Sequence, residues 1–128
     1  MRDNFASLQE RMFCFAVRIV QFVDTLPNTP VGRHTGGQLL RSGTSSAANY
    51  EEACSAESRA DFIHKLSISL KELRESRFWI RLTLAAQTKN EGANQALLQE
   101  VDELCRIIAS SIVTAKSNTR KQKQTESV

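Results

Sequence analysis

Apolar residues at the start of the chain fall on one helical stripe. Phe5, Leu8, Met12, Phe15, Ile19, Phe22 and Leu26 recur at alternating spacings of three and four, the period of a helix with one buried face. This predicts a first helix over about 3–25, with Asp3 as its N-cap. Pro27-Asn28-Thr29-Pro30 then breaks the pattern. Thr29 can cap a second helix with Pro30 at its first position, where a missing N–H costs nothing. That helix, about 30–54, carries a stripe of Leu40, Gly43, Ala47, Tyr50 and Cys54 and is otherwise rich in Ser and Ala. So bare a backbone predicts close approach by a neighbour with large side chains.

Ser58 with Asp61 three residues on resembles a capping box and starts a third helix over about 59–89. Its stripe is Ile63, Leu66, Leu70, Leu73, Arg77, Ile80 and Leu84, with one charged intruder. Asn90 to Asn94 reads as a turn, in which Asn90 or Gly92 ends one helix and Asn94 caps the next. A fourth helix over about 95–115 carries Leu98, Val101, Cys105, Ile108, Ile112 and Ala115. No alternating strand pattern competes. Short loops make successive helices antiparallel, so the expected fold is an all-α, up-down-up-down four-helix bundle. Folding about the Ser55–Glu57 turn brings Leu70 near Gly43 and Leu66 near Ser46 or Ala47.

Composition narrows this little. A chain of 128 residues makes one domain, and 41% hydrophobic with 24% charged residues is ordinary globular usage. No window of about 18 apolar residues exists for a membrane helix. The early run Met12 to Val17 stops at Arg18, too short for a secretory signal, so a cytoplasmic protein is expected. Cys14, Cys54 and Cys105 are odd in number and far apart; they suggest neither a disulfide framework nor a zinc site, and buried free thiols are expected. The net charge of +3 has an address: Lys116, Arg120, Lys121 and Lys123 against Glu126 alone account for all of it. The expected organisation is a neutral bundle over 1–115 and a basic, polar, frayed or disordered tail over 116–128.

Helix three carries the candidate surfaces. Phe78, Trp79 and Leu82 lie off its main stripe, and one bundle face cannot bury both sets, so this edge is a candidate oligomer interface. Lys71, Arg74, Arg77 and Arg81 form a row that matches phosphates and, with Lys116, Arg120, Lys121 and Lys123, makes a candidate nucleic-acid interface. The competing reading of that row is a salt-bridged face, with Lys71–Glu75 as an i, i+4 pair. Arg77 interrupts the core stripe and requires a carboxylate or carbonyls, in this chain or in another. Asp61 and His64 stand at i, i+3 as in helical-bundle metal sites, but the motif occurs once and His34 has no acid before it, so a structural role and no metal are expected. Gly36 to Thr44 lacks the Gly-Lys-Ser/Thr of a phosphate loop. No nucleophile stands with a base. A non-catalytic protein without cofactors is expected, the alternative being a metal- or nucleotide-dependent enzyme on a helical bundle.

Leu40-Arg41-Ser42-Gly43-Thr44-Ser45, Asn49, Glu52-Ala53, Asp61-Phe62, Leu66, Leu70-Lys71-Glu72, Glu75 and Trp79 together resemble a bacterial four-helix-bundle family. It includes the proteins encoded in intervening sequences of 23S ribosomal RNA genes and the accessory variability determinants of diversity-generating retroelements. The resemblance runs from about Phe5 to Ile112. It implies a homopentamer of four-helix bundles without known catalysis and, in the retroelement branch, binding of a reverse transcriptase and of nucleic acid through a basic surface. A non-catalytic, homo-oligomeric scaffold that contacts RNA or a nucleic-acid-processing partner is therefore expected. Of the residues that carry the resemblance, Arg41, Asn49, Glu52, Glu72 and Glu75 are polar and lie beside small residues. They read as one interhelix hydrogen-bond network that holds the bundle in register.

Overall fold

The computed structural model describes the backbone of residues 5–86 and 92–126 and the side chains of 8–86 and 94–125. Four helices and no strand make up these residues: α1 (Phe5–Asp24), α2 (Pro30–Cys54), α3 (Arg59–Ala86) and α4 (Gly92–Glu126). Asp3, residues 87–89 and the turn residues Asn90 and Glu91 lie outside the described set. The two expected starts have the expected chemistry. Thr29, in an extended conformation, accepts a 3.0 Å bond from the Gly32 N–H ahead of Pro30. Ser58 Oγ accepts one of 3.0 Å from the Asp61 N–H.

α1 packs on α2 and α4, and α3 packs on the same two, so each helix has two neighbours around one core. Met12, Phe15, Ile19 and Phe22 of α1 are buried against Leu39, Leu66, Leu73, Ile80, Val101, Leu104 and Ile108. Each such side chain contributes about 1.5–3 kcal/mol relative to exposure. The buried row of α2 is Leu39, Ser42, Gly43, Ser46, Ala47, Tyr50 and Ala53. Leu40 and Cys54, expected inside, are on the surface. On α4 the buried row runs through Leu97 and Leu104, while Leu98 and Cys105 are only partly buried beside it.

Serines explain the shift on α2. Ser42 Oγ lies 2.9 Å from Ser76 Oγ, and Ser69 Oγ donates to the Ser46 carbonyl at 2.8 Å. Ser76 in turn donates to the Glu72 carbonyl, and Ser46 to that of Gly43. Four buried hydroxyls thus have partners, and small side chains let α2 and α3 approach closely. The pairs run in opposite chain directions and set a register about one turn from the expected one. Gly43 was expected against Leu70 of α3, but its nearest neighbour is on α1: a Cβ there would lie 2.7 Å from Ile19 Cγ2.

Two further expectations are corrected. α4 does not end at 115 but continues to Glu126, because Lys, Arg and Gln are good helix formers even where no apolar stripe remains. The thiols are not all buried: Cys14 and Cys54 are exposed and Cys105 is intermediate.

Candidate nucleic-acid interface

The basic row of α3 is partly engaged. Arg77 Nε donates to Asp102 Oδ1 of α4 in a short contact, so the carboxylate it required is in its own chain. Lys71, Arg74 and Arg81 are exposed. Glu75 pairs with Arg41 of α2 and feels the charge of Lys71 without bonding it, so the row is salt-bridged at Arg77 and otherwise open. Burial pushes the Cys105 thiol up from its usual range, while Arg74, Arg77 and Arg106 pull it down. Three guanidinium groups thus lie within electrostatic reach of one position on α4, together with Asp102, the partner of Arg77. Arg106, exposed, was not among the sequence candidates.

The continuation of α4 runs beyond the α3 row: the Arg77–Asp102 bond and the cleft shared by Arg59 and Asn118 set its last turns opposite the start of α3. Lys116, Arg120 and Lys123 follow Cys105 by intervals that return to the same side of a helix. All three are exposed. Lys116 to Lys123 spans about 10 Å at 1.5 Å per residue. Lys121 falls off this side. Basic charge runs along α3 and on past its start along α4, although the charge of residues 1–115 sums to zero.

The polar residues expected to form one network form three separate contacts. Arg41 bonds Glu72 at 3.2 Å and Glu75 in a short contact, and Trp79 Nε1 donates to Glu75 Oε2 at 3.0 Å. The Arg41 guanidinium, then the indole, hold the Glu75 carboxyl below its ordinary range. Glu52 pairs with Lys65 at 2.6 Å, near the turn. Asn49 donates to Ser45 of its own helix, at 2.9 Å to the carbonyl, and does not cross to α3.

Of the expected interface edge, Phe78 is 53% and Leu82 43% exposed. Trp79 is half-buried: besides Glu75 its ring meets His34 edge-on, centroids 5.7 Å apart. The opposite side of the bundle carries a second apolar row, Phe13, Val17 and Val20 on α1. Sequence reading passed over it because the longer core stripe of the same helix dominates the pattern. Its signal was there, at spacings of four and three.

The family model described as 23S rRNA-intervening sequence protein matches residues 7–110. The chain belongs to this family. A crystal structure of an S23 ribosomal protein family member of unknown function from Bacteroides thetaiotaomicron is similar, at 36% identity and a TM-score of 0.75. The match covers 82% of this chain and 97% of that one. No curated protein matches.

In this chain the remaining sequence candidates stay apart. His64 is exposed, and the backbone N–H of Asp61 is tied to the Ser58 cap. No group of three or more His, Cys, Asp or Glu side chains able to hold a metal occurs among the described residues. Two open clefts flank Arg59 and Phe62, of about 630 and 480 Å³. The larger is lined by Tyr50 and Cys54, and burial pushes the hydroxyl and the thiol up. Neither cleft is lined by histidine. No described helix is long and apolar enough to cross a membrane.

Proposed function

We propose that this chain is a non-catalytic, homo-oligomeric helical scaffold that binds RNA through its α3–α4 basic face. The observation that carries the reading is the alignment of Lys116, Arg120 and Lys123 along one side of α4, which continues beyond the basic row of α3. Opposed contacts between successive helices support an up-down-up-down bundle as its frame. The uncovered Phe78 and Leu82 edge supports self-association, with a pentamer implied by the family resemblance. Phosphate contacts displace counterions, so affinity for a labelled single-stranded RNA should fall steeply with salt, by about 0.7 in logarithmic slope per contact. Fluorescence anisotropy at several salt concentrations measures that slope. Replacing Lys116, Arg120 and Lys123 together by Gln should flatten it by about two units, whereas Lys121→Gln should leave it nearly unchanged. A triple variant with the full affinity and slope would remove α4 from the reading, and no binding at low salt would end the RNA reading altogether.

A further inference from the structure

Two exposed apolar rows lie on different sides of the bundle, and the charges around them are opposite. On α1, Phe13, Val17 and Val20 are 60, 39 and 48% exposed, and Glu10 and Asp24, also exposed, continue the same row at its two ends. The contacts of Gly43 with Ile19 and of Gly36 with Val23 put Leu40 of α2, 41% exposed, beside Val20. Glu51, which accepts a bond from Gln9, adds a third acid near Phe13. The row Glu10-Phe13-Val17-Val20-Asp24 holds no base.

α3 presents the complement. Lys71, Arg74, Phe78, Arg81 and Ala85 are all exposed and follow one another at the same alternation of three and four, with Leu82 beside Phe78. This row holds three bases and no acid. Each row spans fourteen residues in chain number, about 21 Å.

We infer that the acidic apolar row of α1, widened by Leu40, docks on the basic apolar row of α3 in a second copy of this chain. The inference deepens the homo-oligomeric reading above and rests on it. Pairing α1 with α1, or α3 with α3, brings like charges together, which opposes association; pairing α1 with α3 cancels them. The two rows are different surfaces, so the contact is head-to-tail and repeats until a ring closes. It also divides the basic face: the outer row of α3 meets protein, and Arg106, Lys116, Arg120 and Lys123 on α4 stay free for phosphate.

Two variants of the full chain test this in analytical ultracentrifugation, with circular dichroism confirming that both remain helical. One carries Val17→Glu and Val20→Glu, the other Phe78→Glu and Leu82→Glu; all four positions are exposed, so the core is untouched. Each variant alone should be monomeric. Mixed in equal amounts they should give a two-chain particle and nothing larger, because each retains the one row that the other lacks. If the α1 variant keeps the wild-type size, or if the mixture stays monomeric over the range in which wild type assembles, the pairing of rows is wrong. A wild-type protein that is itself monomeric would instead overturn the scaffold reading.

Discussion

Gly43 and Gly37 stand six residues apart on α2 and should respond to alanine in opposite directions. A Cβ at Gly43 would meet Ile19 at 2.7 and 2.8 Å, at the branched Cβ end of a fully buried side chain that has little freedom to yield. Gly43→Ala should therefore destabilise by about 1–3 kcal/mol, the usual range for overpacking, and Gly43→Leu by more. At Gly37 nothing lies within 4 Å, so Gly37→Ala should stabilise by about 0.5–1 kcal/mol through lower chain entropy and better helix propensity. Urea denaturation of the two variants checks both signs. That Gly43 is a packing position was legible in the small residues around it. Its partner was not: α2 packs on both α1 and α3, and a stripe of small residues does not say which of the two each one meets.

Among elements, the α2–α3 pair shows where periodicity stops being informative. The α1 stripe was readable because Met12, Phe15, Ile19 and Phe22 are large and apolar. On α2 the buried row passes through Ser42 and Ser46, and hydrophobicity is silent for a serine that is buried by hydrogen bonding. The clamp over that seam, Arg41 on Glu72 and Glu75, is electrostatic and depends on pH. The Glu75 carboxyl titrates below its ordinary 4.5 when folded. Its stabilising contribution is present above that value and is lost as the pH falls through the lower, folded one. The stability of wild type over Glu75→Gln should accordingly shrink in acid, as melting temperatures of both proteins across pH 5 to 3 (roughly the span around an ordinary carboxylate pKa) would show. On α4, Ala115 is the last buried apolar residue. Deleting everything after it should lower the helical signal while leaving the melting temperature within a few degrees, because no core contact is removed. A large fall in melting temperature would show that the last turns of α4 support the bundle.

At the scale of the whole molecule, function turns on how the helices distribute charge. Counting residues gives a neutral body and a basic end; folding instead places Arg74, Arg77 and Arg106 within electrostatic reach of one position and sends α4 on past the start of α3. The sequence hid this because a sum does not say which turn or side of a helix a charge occupies: Glu100, Asp102 and Glu103 stand on the first turns of α4, ahead of its basic end. The outer row of α3 cannot hold both a second copy of the chain and a strand of RNA, since both would need Lys71, Arg74 and Arg81. If the copies occupy it, short RNA added to the assembled protein should bind without dissociating it: the particle grows by the mass of the bound RNA and keeps its number of chains. If RNA occupies α3 first, excess RNA should break the assembly into single bundles, and higher salt should restore it as the RNA leaves. Sedimentation with separate absorbance of RNA and protein distinguishes the two outcomes. The expected one is an intact assembly with RNA along the end of α4, because apolar burial at Phe78 and Leu82 favours protein contact on α3, whereas the last turns of α4, from Lys116 to Lys123, are charged and polar throughout.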